Sequence, residues 1–291
     1  MAALSSSCMR IGVVAPGGRV APDLEARVWA LVAGLDPRRR PEIRFHPQCF
    51  LSSGHFAGDD AARAEAFVAV ANDPNLDAVW FARGGYGAFR VIETVLPRLN
   101  AAAHEKVYLG YSDAGALLGA LYGAGVGSVA HGPMPVDLVR AGGEAAVRRA
   151  LEFLVDGDVS ALEPTVAQGG KPTAAFNITI LAHLIGTPYL PDLAGHVLML
   201  EEVSEPMYRI DRALGQIASA PALRRVAGIR LGRCSGIPVN DPDFGRSEVE
   251  VVRYWCERSG IAYLGRAEIG HDVGNMVVPF GPRRPVSAAA E

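Results

Sequence analysis

Long apolar runs are missing from this chain of 291 residues. No window holds the ~18 successive apolar residues that a membrane-spanning helix needs. The opening stretch MAALSSSCMRIGVVAPGG has one late arginine and no apolar central segment, so it does not read as a secretory signal. Cysteine is scarce. Cys8, Cys49, Cys234 and Cys256 stand far apart with no CxxC pair, which speaks against a disulfide framework and suits a reducing compartment. Charge of one sign is lacking as well. The 28 basic and 31 acidic residues leave a net charge of -3, too little to draw nucleic acid or an anionic membrane. The basic run Arg38-Arg39-Arg40 lies between Pro37 and Pro41 and reads as a solvated loop. No HExxH or other metal-ligand spacing occurs, so no metal is expected. The early APGG turn is not GxGxxG, and no acidic residue stands about 20 positions on at the end of a second strand, as the dinucleotide fingerprint requires. A nucleotide- or ligand-binding module is therefore a weak alternative. These absences leave a cytoplasmic globular protein as the expectation.

What is present is ample core material. Hydrophobic residues make up 49% and charged residues 20%, and the length allows one large or two ordinary domains. Met9 to Ala15, Leu76 to Ala82 and Lys106 to Tyr111 read as buried strands. Between the first two, Ala64, Phe67, Val68 and Ala71 fall at helical spacing, with Asp59 or Asp60 as the cap. Strands alternating with helices predict right-handed βαβ units on a parallel sheet. Glu144 to Val155 reads as the helix closing that unit. The Gly- and Pro-rich stretch after it reads as a linker. Beyond it, His196 to Val203 and Val226 to Cys234 read as strands. The segment SEVEVVRYWCERSG reads as a helix with a Ser247/Glu250 capping box and a Gly260 stop. The expected divisions are 9–155, a linker at 156–172, and 173–284. The alanine-rich tail is the one biased segment.

The segment KVYLGYSDAGALLGALYGAG carries the most chemistry. A strand runs into Gly110-Tyr111-Ser112-Asp113-Ala114, and a helix follows with Ala116, Leu117, Ala120 and Leu121 on its apolar face. A serine between small residues at i−2 and i+2, at a strand-to-helix turn, has the form of a nucleophile elbow. The tight turn pushes the hydroxyl out of the sheet edge, and the helix amides then face developing negative charge. An N-cap serine without chemistry is the plainer alternative from this segment alone.

Several further segments combine with it: FAGDDAAR (Phe56 to Arg63), ARGGYGAFR (Ala82 to Arg90), HGPM (His131 to Met134), LEEVSEPMYRIDRAL (Leu200 to Leu214) and GHDVGNMVVPFG (Gly270 to Gly281). In this order, across nearly the whole chain, they resemble the LD-carboxypeptidase family of serine peptidases, which takes in muropeptide LD-carboxypeptidases and microcin-immunity peptidases. The resemblance implies an α/β chain. An N-terminal parallel-sheet, Rossmann-like domain would carry the nucleophile, a smaller C-terminal α+β domain would carry the rest, and the active site would lie at their interface. It implies a Ser–His–Glu triad of Ser112, His271 and Glu201. Glu202, next along a predicted strand, should face the other way. An acyl-transfer site also needs two donors about 3 Å from the carbonyl oxygen. The amide of Asp113 is one candidate, and that of Gly85 in the Gly84-Gly85 pair is the other. Arg83 or Arg90 could bind a substrate carboxylate, and scaffold ion pairs are the plainer role for both. His131 should shape the wall near Ser112. Glu205, Arg209 and Asp211 could simply form a surface ion network, and the family setting favours their fixing the loop that carries Glu201.

The implied activity is release of a terminal D-alanine from murein tetrapeptides, in cell-wall recycling. The substrate is a small peptide and no cofactor is needed. A homodimer is left open. The alternative within the family is a microcin-immunity peptidase that cleaves acyl-sulfamoyl adenylates. The chain departs from the family's usual pattern at Gly115, at Ala175-Phe176-Asn177 and at Glu268-Ile269-Gly270. These departures bear on pocket shape.

Overall fold

The computed structural model describes residues 8–282. The first seven residues of the opening stretch, the alanine-rich tail and the last two positions of 173–284 lie outside the described residues. The architecture is the α/β arrangement expected. Strands β1 (Arg10–Val14), β2 (Glu42–Phe45), β3 (Ala78–Phe81), β4 (Val107–Gly110) and β5 (Ser128–His131) form a parallel sheet. A second parallel sheet holds β6 (Thr173–Asn177), β7 (Val197–Val203), β8 (Gly228–Ser235) and β9 (Tyr263–Arg266) in that order. The short β10 (Val278–Pro279) then returns to the first sheet, antiparallel to β5, giving the order β10-β5-β4-β3-β1-β2. Among the described residues no helix is long and apolar enough to cross a membrane.

The helices follow from their local signals. The helix Asp60–Asn72 begins where the Asp59 carboxylate accepts the Ala62 amide at 2.7 Å. The helix Glu248–Ser259 has the Ser247/Glu250 capping box and ends at Gly260, whose φ of 74° is the left-handed stop that glycine supplies. The segment read as a linker is not featureless. It holds a short helix, Pro164–Ala167, capped by the buried Glu163.

Alternation along the strands divides the apolar residues into two cores, one on each face. Val14, Phe81 and Tyr108 pack on one face of the first sheet, in the same cluster as Phe176 and Leu200 of the second. Ile11, Trp80 and Leu109 pack on the other, with Ala175, Met199, Ile269 and Val277. Each core therefore runs through both sheets. The backbone joins them too: Thr173 and Gly281 exchange amide bonds of 3.1 and 2.8 Å just past β10. All four cysteines are free.

Candidate active site

The serine stands where an inner strand of the first sheet gives way to a helix. β4 ends at Gly110, a short 3-10 turn spans Ser112–Ala114, and the helix Gly115–Gly123 follows. Ser112 has φ of +62°, a conformation that L-residues avoid and that a nucleophile elbow imposes. Two glycines make this possible. A Cβ at Gly110 would lie 2.9 Å from the Phe81 ring, and one at Gly84 would lie 2.7 Å from Ser112 Cβ and 2.9 Å from its Oγ. The Gly84-Gly85 turn thus brings bare backbone against the hydroxyl.

The base comes from the second unit. Ser112 Oγ lies 2.9 Å from His271 Nε2, and His271 Nδ1 lies 2.5 Å from Glu201 Oε2. An ionised carboxylate has no proton to give, so Nδ1 carries the hydrogen and donates to Glu201. That leaves Nε2 of the neutral ring to accept from the serine. Glu201 is fully buried and the imidazole nearly so. Burial pushes the His271 pKa down, but the charge and hydrogen bond of Glu201 outweigh it, and the net shift is upward.

Glu201 and Glu202 part as strand alternation requires. Glu202 turns to the start of the helix Ile178–Leu184, where it accepts from Asn177 Nδ2 (2.6 Å), the Thr179 amide (2.9 Å) and the Thr179 hydroxyl (2.8 Å). Burial raises its pKa against those bonds.

The segment bearing His271 has no regular structure, and side chains from both sheets grip it. From β8, Arg233 donates to Asp272 at 2.5 and 2.9 Å and to Glu268 at 2.9 Å. From the first unit, Arg149 donates to the carbonyls of Val273 (3.0 Å) and Asn275 (2.9 Å). His131 lies 3.0 Å from Asn275 Oδ1, which also accepts the Gly270 amide at 3.1 Å. His131 contacts the Tyr111 ring and not the serine. Tyr111 in turn packs on the His271 ring, with centroids 4.9 Å apart, and donates to the buried Asp137 at 2.8 Å.

The remaining sequence candidates fall as follows. The Asp113 carboxyl is half-buried, with the backbone amides of Asp113 and Gly85 among its neighbours. Burial raises the Asp113 pKa. Arg83 Nη1 donates to the Arg19 carbonyl at 3.0 Å, and its guanidinium lies beside Gly18 and Gly85. Arg90 is not brought to the serine. Its guanidinium is held by Asp60 at 2.6 to 3.0 Å, so the ion-pair role is the one the structure gives it. Glu205 and Arg209 pair at 3.3 Å at the start of the helix Met207–Ser219, while Asp211 accepts from Trp255 at 2.9 Å. Neither contact reaches Glu201, so the expectation that these residues fix its loop is corrected.

Reading the sequence missed Arg63. This fully buried arginine pairs with Asp60 and donates to the carbonyls of Pro16 (2.5 Å) and Gly87 (2.7 Å), tying the glycine turn to the end of β1. Its signal was a lone arginine within an apolar helical pattern. Two of the departures meet in space: a Cβ at Gly115 would lie 3.7 Å from the Phe176 ring. The small residue on the helix faces the large one on β6, so volume is kept.

Residues 11–132 match the LD-carboxypeptidase N-terminal domain and residues 172–285 the LD-carboxypeptidase C-terminal domain. A Streptomyces coelicolor protein provisionally named a carboxypeptidase is 35% identical over 94% of this chain and 88% of its own. The chain belongs to the LD-carboxypeptidase family. It is accordingly a peptidase. Another relative of this LD-carboxypeptidase family member is the murein tetrapeptide carboxypeptidase of Pseudomonas aeruginosa, 29% identical over 94% of this chain and 91% of that one. In fold it is similar to the muramoyltetrapeptide carboxypeptidase of Oxalobacter formigenes, with a TM-score of 0.74, 24% identity, and 94% and 93% of the two chains covered. The microcin C7 self immunity protein MccF, solved with aspartyl sulfamoyl adenosine, shares the fold equally, with a TM-score of 0.74, 15% identity, and 94% and 91% covered.

Proposed function

We propose that this peptidase is a serine carboxypeptidase that hydrolyses the L,D-peptide bond before a terminal D-alanine in murein tetrapeptides, in the cytoplasm, as a step of cell-wall recycling. The observation that carries the reading is the unbroken hydrogen-bonded line from Ser112 through His271 to Glu201. Ser112 attacks the carbonyl while His271 Nε2 takes its proton. Glu201 holds the ring in the required tautomer and stabilises the imidazolium. The amides of Gly85 and Asp113 take the oxyanion. His271 then protonates the departing amine of D-alanine, and water, activated by the same ring, releases the acyl group from Ser112.

The substrate half of the reading draws support from the Pseudomonas aeruginosa relative and from Arg83. The side chain of Arg83 lies beside the Gly85 turn, makes no ion pair among the described residues, and would read the terminal carboxylate. A microcin-immunity reading has one observation of its own. Tyr86 and Phe89 stand 51% and 36% exposed at the cavity next to Asp113, where a flat ring could lie.

Three peptides test the choice: a tetrapeptide ending in D-alanine, its C-terminal amide, and the same peptide ending in L-alanine. The amide should be cut at least ~10-fold more slowly, because a charge-assisted contact is worth about 1.5–3 kcal/mol. The L-alanine peptide should also be poor, since inversion exchanges methyl and carboxylate. Equal rates on acid and amide would refute carboxypeptidase specificity and favour the adenylate substrate.

A further inference from the structure

A cavity of about 220 Å3 lies where the segment joining the two units meets the second sheet. The turn Gln168-Gly169-Gly170-Lys171, which follows the helix Pro164–Ala167, lines it together with Val197 and Met199 of β7, Arg230 of β8 and Leu264 of β9. None of its lining residues belongs to the triad. Two cations line it, Lys171 and Arg230, and among the described residues no carboxylate does. Among those residues neither cation makes an ion pair. Lys171 is exposed and makes no hydrogen bond, and Arg230 makes one, from Nη1 to the Arg266 carbonyl at 3.1 Å. The Gln168 side-chain amide and the backbone amides of Gly170 and Lys171 likewise donate to no group among the described residues. The acids nearby are already engaged. Glu163 accepts from the Thr165 amide and hydroxyl (2.8 and 2.5 Å), the Val166 amide (3.2 Å) and the Glu268 amide (3.3 Å), and Glu248 holds Arg266 at 3.4 Å.

We propose that this cavity binds a small oxyanion, a phosphate or carboxylate group, held by the Arg230 guanidinium and the Lys171 ammonium. The donors around the cavity outnumber the acceptors they bond. Two like charges around one small hole repel each other, and an oxyanion between them turns that repulsion into two attractions. A guanidinium fork matches two oxygens of one carboxylate or phosphate, and an ammonium adds a point charge from another side. The Gly169-Gly170 turn leaves backbone N–H groups uncovered, and turns of this kind hold anions. The inference goes beyond the carboxypeptidase reading and does not depend on it.

The size of the cavity narrows the ligand further. Its volume is that of about seven water molecules. That admits the anionic group with a short carbon body, which Val197, Met199 and Leu264 would meet on the apolar side. Pro279 and Gly281 line the same cavity, so the bound molecule would touch the joining segment, the second sheet and the strand that returns to the first. A ligand that binds parts so far apart in sequence only when they are folded together stabilises the folded chain by mass action.

The test is free of turnover. Calorimetry and thermal melts on the full chain use inorganic phosphate and glutarate, each against chloride at matched ionic strength. At least one of the two probes should bind saturably and raise the melting temperature, and the tighter one tells a phosphate site from a carboxylate site. Lys171→Gln and Arg230→Gln should each weaken that binding by about 10-fold or more, because each removes a charge-assisted contact. Arg230→Lys should weaken it as well, since the charge stays and the fork is lost. Lys171 is exposed and unpartnered among the described residues, so Lys171→Gln should melt at the wild-type temperature without the anion, which separates lost binding from lost folding. Saturation by neither probe overturns the inference, as does binding that Lys171→Gln or Arg230→Gln leaves unchanged. Binding that falls only in Arg83→Gln would place the anion beside the serine and overturn it too. None of these results bears on release of D-alanine by Ser112.

Discussion

Adjacent glutamates on β7 should fail in opposite ways when each is made the amide. Glu201→Gln keeps size but puts an amide against His271 Nδ1, where a carboxylate stands at 2.5 Å. The ring can then turn to the tautomer with hydrogen on Nε2, which cannot accept from Ser112. Loss of this orienting charge in a serine triad lowers kcat by roughly 10⁴, or about 5.5 kcal/mol of transition-state stabilisation. Glu202→Gln acts on stability. Its carboxylate accepts four bonds, from Asn177, the amide and hydroxyl of Thr179, and the Val203 amide. An amide offers hydrogens where one oxygen met two donors, so buried donors are left facing each other. That costs about 2–4 kcal/mol, which corresponds to a fall in Tm of roughly 4–8 °C for a chain of this size. Steady-state turnover and a thermal melt on both variants separate the two. A Glu202→Gln protein that melts normally yet loses turnover as severely as Glu201→Gln would refute the assignment of faces.

Acid titration offers a second check. Glu201 holds the His271 pKa above its ordinary 6.5 despite burial, and the base works only when neutral. kcat/KM should therefore rise with pH through a limb above that value, and Glu201→Gln should move the limb to lower pH. Gly84→Ala places a methyl 2.7 Å from Ser112 Cβ; a shift of the serine of that kind should lower kcat by ~10²-fold in a protein that still folds, and near-normal turnover would contradict the tight turn. Ser112→Ala and His271→Ala should each remove nearly all turnover, with the double variant no worse than either, because the pair acts as one unit.

The three candidate residues were legible through the family resemblance of their motifs, and of the three only Ser112, between small residues at a strand-to-helix turn, has a local signal of its own. What holds the triad was not. Arg233 meets Asp272 across 39 residues, Arg149 meets Asn275 across 126, and His131 meets Asn275 across 144. Nothing in the periodicity of one segment announces a partner in another. The long strands and the capped helices could be read because periodicity and caps are local. β10 could not, since two residues carry no period. Arg90 had two open roles in the sequence, a carboxylate ligand or a scaffold ion pair, and only the fold shows that Asp60 reaches it.

The serine and its base lie 159 residues apart, and the segment bearing the base is pinned to both sheets. During synthesis at ~5–20 residues per second, the nucleophile leaves the ribosome roughly 10–30 s before its histidine exists. Throughout that interval the half-made chain carries an unactivated alcohol and cannot attack the peptides around it. The same wiring makes turnover a reporter of whole-molecule integrity, because loosening the hold of either unit on that segment should silence the enzyme before the sheets themselves are lost.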